Sequence, residues 1–264
     1  MNNIRPSIRT ARRLLCTAAL ASSLGLAAPA AAQTTLKILT AGAFKQVVVA
    51  LVPAIEARTG QKVEVDNDTA GALVKKVEAG ASFDVLVLPP NGLAALGKGG
   101  YVEADTIKPV ARVGIGVAVK AGDPRPPIET VEQFKDAVLK ARRVAYIDPA
   151  AGGSSGIYLD GLFQRLGIAA DVRAKAVLVP GGLVAEKLVS GEADLALHQV
   201  SEILPVRGAT LVGPLPEGIQ NYTTYAAGVS TKTRSAAAAR AVLEVLTSAD
   251  AMSVLQSKGM TPAK

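Results

Sequence analysis

The sequence predicts an α/β fold with parallel sheets, and three observations carry that prediction. Strand-like and helix-like segments alternate along residues 35–258, with the spacing of repeated strand–helix–strand units. The stretch Phe83-Asp84-Val85-Leu86-Val87-Leu88-Pro89 is almost continuously apolar, as in a strand covered by helices on both faces. Several strand ends also run directly into loops of very small residues that open helices.

Residues 1–32 read as a secretory signal peptide. Arg5, Arg9, Arg12 and Arg13 form a basic start without an acid, residues 14–26 are apolar, and Ala30-Ala31-Ala32 fits a small-residue cleavage site before Gln33. The single cysteine, Cys16, falls in this segment, so neither a disulfide nor thiol chemistry is expected of the mature chain. Four of the 29 basic residues lie in the leader and none of the 22 acids, so the net charge falls from +7 to +3 on cleavage. That removes the main support for a nucleic-acid partner. No later apolar run approaches the roughly 20 residues of a membrane span. The expectation is a periplasmic monomer with no span in the mature chain.

The mature elements follow in order. A strand over 35–39 leads to a helix over 46–58, stopped near Gly60. A strand over 62–65 and a helix over 70–79 precede the apolar strand 83–89. After a short helix comes a longer strand over 112–120, and Pro124, Pro126 and Pro127 then mark a boundary. Beyond it lie helix 131–140, strand 143–147, helix 155–166, strand 174–179, helix 183–189 and strand 195–198. A short helix near Ser201, strands over 210–212 and 223–229, and helices over 234–247 and 249–258 complete the chain.

Four helix entrances are built from tiny residues: Thr40-Ala41-Gly42-Ala43-Phe44-Lys45, Asn67-Asp68-Thr69-Ala70-Gly71, Gly152-Gly153-Ser154-Ser155-Gly156 and Pro180-Gly181-Gly182. In open α/β sheets ligands sit outside the carboxyl ends of the strands. Helix N-termini there present unpaired N–H groups and a positive dipole end, and small side chains let a ligand reach the backbone. The four entrances together point to one shared site for an anion or polar ligand. Taken singly, each is also an ordinary turn.

Other chemistries compete for the same residues. Gly152-Gly153-Ser154-Ser155-Gly156 matches the G-x-S-x-G elbow of serine hydrolases. The one histidine, His198, ends a strand only 44 residues on, a poor place for a triad histidine. A Walker phosphate loop is absent, and no cluster has metal-ligand character, so no metal and no cofactor are expected. Lys45 stands in the first turn of a helix, where a cation opposes the dipole; it is either a solvated lysine or the partner of a bound anion.

The residues Thr40-Ala41-Gly42-Ala43-Phe44, the signature Val77-Glu78-Ala79-Gly80-Ala81 before the apolar strand, and Asp148-Pro149 ahead of Gly156-Ile157-Tyr158 carry a resemblance. The mature chain resembles periplasmic solute-binding proteins of ABC importers, in the molybdate-binding-protein-like branch. The resemblance implies a type II periplasmic-binding-protein fold: two Rossmann-like lobes with a ligand cleft between them. Two crossing segments, over 112–120 and 223–229, would join the lobes. Lobe 1 would comprise residues 33–118 and 223–264, and lobe 2 residues 119–222. It also implies a binding protein and not an enzyme, with a small anionic ligand and a membrane permease as partners.

The same resemblance sets expectations for single residues. Molybdate binders usually carry a serine at each of the first two entrances; here Ala43 and Ala70 stand in those places, with Thr69 adjacent to the second. Ser154, Ser155 and the amides of Gly181 and Gly182 remain as donors. Gln199, beside His198, takes the place of a tyrosine. The expected ligand-binding set is therefore Ala43, Phe44, Lys45, Thr69, Ala70, Gly71, Ser154, Ser155, Gly181, Gly182, His198 and Gln199. The two alanines favour an organic carboxylate over molybdate. An exported serine hydrolase using Ser154 is the alternative, and a binding domain that feeds a sensor is a third.

Overall fold

The computed structural model describes residues 35–263; the expected signal peptide lies outside the described residues. β1 (Thr35–Ala41), β2 (Lys62–Asp68) and β3 (Val85–Leu88) form a parallel unit connected by α1 (Gly42–Thr59) and α2 (Ala70–Glu78). After α3 (Pro90–Lys98), β4 (Lys108–Lys120) leads to α4 (Val131–Lys140) and β5 (Val144–Ile147). Next come α5 (Ser154–Arg165), α6 (Ala169–Arg173), β6 (Ala176–Val179), α7 (Glu186–Val189) and β7 (Leu195–Gln199). The chain closes with α8 (Val200–Ile203), β8 (Ala209–Pro214), β9 (Tyr222–Val229), α9 (Ala236–Leu246), α10 (Ala249–Ser257) and β10 (Thr261–Pro262).

β5, β6 and β7 make the second parallel unit, and antiparallel pairings through β9 and β4 link the two in the order β2-β1-β3-β9-β4-β7-β5-β6. The first part of β4, through Gly114, pairs with β9; from Ile115 onward it pairs with β7, and from Gly116 also with β8. The buried cores divide at the same point. One core holds Leu36, Phe44, Val87, Val113, Tyr225 and Leu243; the others hold Ile115, Phe134, Tyr146, Phe163, Leu188 and Leu197. This is the two-lobed α/β architecture with crossing segments.

The return crossing falls just before the expected place. β9 pairs only with β3 and with the first part of β4, so it lies wholly in the first sheet. The chain returns through residues 215–221, where the Gln220 side chain holds both backbone groups of Ile115. The Ile115 N–H donates to Gln220 Oε1 at 2.9 Å, and Gln220 Nε2 donates to the Ile115 carbonyl at 2.9 Å. Among the other departures from expectation, two concern the site and the crossing strand. α1 starts at Gly42 and not at residue 46, because Gly42 and Ala43 already carry helical geometry. β4 starts four residues early, at Lys108, since its polar start is paired to β9.

Candidate ligand-binding site

The carboxyl ends of β1, β2, β5 and β7 open on one cavity, lined by Ala41, Asp68, Ile147 and Gln199 among others. It encloses about 410 Å³ of empty space, part of it open to solvent. Little of that space is wide enough for a water molecule, so a larger ligand requires the lobes to part.

Three helices begin at this cavity. α1 enters with Gly42 and Ala43 behind Ala41, and α5 enters with Ser154 behind Gly153; neither has a side-chain cap. α2 is capped by its own Thr69, whose Oγ1 accepts from the Ala72 N–H at 3.2 Å. An uncapped N-terminus leaves N–H donors and a positive dipole end without an internal acceptor. Two such ends line this cavity, α1 packed on the first core and α5 on the second, and a bound anion would supply the missing acceptor.

Eight of the twelve expected residues line the cavity together: Ala43, Thr69, Ala70, Ser154, Ser155, Gly182, His198 and Gln199. The other four do not. Successive helical residues diverge by about 100°, so Phe44 points into the core, fully buried against Tyr225 with ring centroids 6.3 Å apart. Lys45 lies one step further round α1, outside the cavity lining. Gly71 faces the opposite lobe, its N–H donating to the Gly152 carbonyl at 3.1 Å. Gly181 stands outside the lining, where only its neighbour Gly182 reaches. Thr69 lines the cavity but is no spare donor: its single hydroxyl proton goes to the Ala151 carbonyl across the cleft.

The bareness of the Gly152–Gly156 loop has causes besides a ligand. Gly152 holds a left-handed φ of 76°. A Cβ on Gly153 would lie 2.6 Å from Ile147 Cγ2, and one on Gly156 only 2.2 Å from the Ile147 carbonyl oxygen. The loop is stripped so that α5 can pack directly on the end of β5.

Eight lining residues lie outside the expected ligand-binding set, and four of them carry polar side chains: Asn67, Asp68, Glu202 and Tyr225. Asp68 is tied back, accepting from the Thr69 N–H at 2.8 Å and pairing with Lys76 at 2.9 Å. Glu202 is different. It sits on α8, four residues after His198, and its Oε2 lies 3.1 Å from His198 Nε2 with both side chains almost wholly buried. The four-residue separation was visible in the sequence; the turn from β7 into α8 that brings the two together, and their burial, were not. Burial pushes the Glu202 carboxyl up to about 8 and the His198 imidazole down to about 3, so both are neutral near pH 7. Burial, and then the Glu202 charge, also raise the Tyr225 phenol, while a hydrogen bond from Ser154 works against them.

His198 Nδ1 and Gln199 Oε1 are buried without a hydrogen-bond partner, although Gln199 Nε2 donates to Thr223 Oγ1 at 2.9 Å. Among the described lining residues there is no lysine or arginine. The cavity can therefore hold an anion only through uncharged donors: helix ends, hydroxyls, side-chain amides, the neutral imidazole and a neutral carboxylic acid. No group of three or more His, Cys, Asp or Glu that could hold a metal occurs among the described residues. The triad reading finds no geometry: the histidine is engaged by a glutamate, and Ser154 by Tyr225.

Comparison with known proteins agrees with this architecture. The mature region is 33% identical over 235 residues to an aconitate isomerase of Pseudomonas sp, covering 87% of this chain and 88% of that one. The periplasmic molybdate-binding protein of Azotobacter vinelandii superposes with a TM-score of 0.74 at 18% identity, over 87% of this chain and all of that one. The sulfate-binding protein of Mycobacterium tuberculosis superposes with a TM-score of 0.71 at 16% identity, over 88% of each chain. The fold is the type II periplasmic-binding-protein fold. A sequence profile described as bacterial extracellular solute-binding protein matches residues 36–261, and the chain belongs to that family.

Proposed function

We propose that this protein is the periplasmic substrate-binding component of an ABC importer and that its ligand is a small organic polycarboxylate of the aconitate class. One observation carries the ligand assignment: Ala43 and Ala70 stand at helix entrances on the cavity wall, with no hydroxyl to give and no lysine or arginine beside them. A bare tetrahedral oxyanion needs donors on every side, and each unmet hydrogen bond costs about 1–3 kcal/mol. A polycarboxylate spreads its charge over several groups. It can set one carboxylate on each uncapped helix end, with the Glu202 acid and the Tyr225 hydroxyl as further donors. The relative at 33% identity is by name an enzyme of aconitate, a tricarboxylate, and supports the same ligand class.

The test is thermal unfolding of residues 33–264 against trans-aconitate, cis-aconitate, citrate, succinate, molybdate, tungstate, sulfate and phosphate. Ligand at about 100 times its Kd stabilises by about 2.7 kcal/mol. For a chain of this size that raises the midpoint by about 5–10 °C. The expected result is a rise with tricarboxylates. A rise with molybdate and tungstate alone would overturn the ligand assignment and leave the binding function standing.

A second reading is favoured by the buried Glu202–His198 pair, which a passive binder does not need. In it the protein also isomerises an unsaturated tricarboxylate while holding it, as the name of the relative says of that protein.

A further inference from the structure

We propose that Glu202 is the general base that moves a proton between two carbons of the bound ligand, and that His198 positions it and stores its second proton. The proposal rests on the second reading above and assigns that reading its chemistry.

The geometry points to Glu202 on three counts. Its Oε2 faces His198 Nε2 at 3.1 Å. Its other oxygen, Oε1, reaches the entrance of α1, where a Cβ on Gly42 would stand 2.6 Å away; only glycine leaves that oxygen room at the cavity wall. Neither residue has a cation to balance it, since the lining holds no lysine or arginine, and His198 Nδ1 is buried without a partner. A carboxyl kept for the fold alone would be tied to backbone donors, as Asp68 is. Glu202 is tied instead to a group that can take a proton from it.

The step balances without a co-reactant. Glu202 passes its proton to His198, which the negative ligand stabilises as imidazolium. The carboxylate then removes a proton from the ligand's methylene, next to both a carboxylate and a carbon–carbon double bond. The C–H bond breaks, an O–H bond forms on Glu202, and the electron pair spreads over the allylic unit onto the ligand carboxylate. The helix ends of α1 and α5, together with the Tyr225 hydroxyl, face the oxygen on which charge grows. Glu202 returns the proton to the far allylic carbon and takes its own back from His198. The double bond has moved to the former methylene–carbon single bond, and the rotamer in which the cavity holds that bond when its proton leaves decides whether the product is cis or trans.

The experiment uses residues 33–264 with trans-aconitate in D2O, followed by proton NMR. The wild type is expected to form the cis isomer, with deuterium entering the methylene carbon in those turnovers where the proton on Glu202 exchanges before it is returned. Glu202→Gln keeps a hydrogen-bond donor in place, so it should retain the ligand-induced thermal shift while the rate falls by about 100-fold or more. His198→Gln should lower kcat and leave KM unchanged. If Glu202→Gln turns over like the wild type, the assignment is overturned while the isomerase reading survives. If the wild type binds trans-aconitate without isomerisation or deuterium uptake, the isomerase reading falls and the proposal with it, while the binding function stands. Should Glu202→Gln fail to fold, Glu202→Asp supplies the test: it keeps the acid but withdraws it by one methylene, and an undiminished rate would overturn the proposal.

Discussion

Gly156 has no room for a methyl group. An added Cβ would meet a backbone oxygen of Ile147 at 2.2 Å, and backbone cannot swing aside as a side-chain tip can. Overpacking of this kind costs about 1–3 kcal/mol or more. Gly156→Ala is therefore expected to lower the unfolding midpoint by about 2–4 °C for each kcal/mol, measured by calorimetry. An unchanged midpoint would show that α5 can lift off β5. The glycines of this loop were legible as a helix entrance, but the sequence could not say that packing against Ile147 requires them. Glu202 was missed for a related reason: an acid on a short surface-like helix reads as solvated until its neighbours are known. Ala43 and Ala70 were legible in full, because a missing hydroxyl is visible in the letters. Ala43→Ser together with Ala70→Ser should restore two donors and raise molybdate affinity by about tenfold or more, as titration calorimetry would report. No gain in molybdate affinity would mean that these positions do not set selectivity.

At the scale of elements, the positions of strands and helices were readable because their periodicities are strong and their stops are marked by Gly60, Pro124 and the small-residue loops. The segments that escaped are short and locally unmarked: α6 has five residues, β10 two, and both exist through contacts with distant chain. The pairing of helix ends across the cleft was also beyond the sequence. α2 meets the loop before α5 backbone to backbone, through the Gly71–Gly152 hydrogen bond and the Thr69 hydroxyl on Ala151. A Cβ on Gly71 would stand 2.9 Å from Gly152 Cα. Gly71→Ala should thus act as a wedge, weakening ligand binding mainly through faster release, with little effect on the unfolding midpoint without ligand. Surface plasmon resonance with the best ligand of the panel would check it; an unaltered release rate would mean that this seam does not govern closure.

For the molecule as a whole, the buried pair sets a pH profile. The Glu202 acid has its folded value raised from 4.5 to about 8, so its contribution is full below about 4.5 and is lost as pH rises through 8. His198 has its folded value lowered from 6.5 to about 3, so its contribution is full above about 6.5 and is lost as pH falls through 3. Between 4.5 and 6.5 the two slopes oppose each other. Stability should form a plateau there and decline on either side, as urea midpoints measured across pH would show. Glu202→Gln should remove the alkaline decline, and its persistence in that variant would assign the decline to another group. The two-lobe plan was legible as a whole because it is written in the order of elements. The place of the return crossing was not, since nothing in residues 215–221 announces that Gln220 will grip Ile115. β4 carries this last point further. The first core needs Val110, Ala111 and Val113, the second needs Ile115, Val117 and Val119, and all six lie on one uninterrupted strand. The first core also needs Tyr225 to Met260, which the chain reaches only after completing the second. No single cut in the gene can then yield a folded half: wherever it falls, one product loses part of its interior to the other.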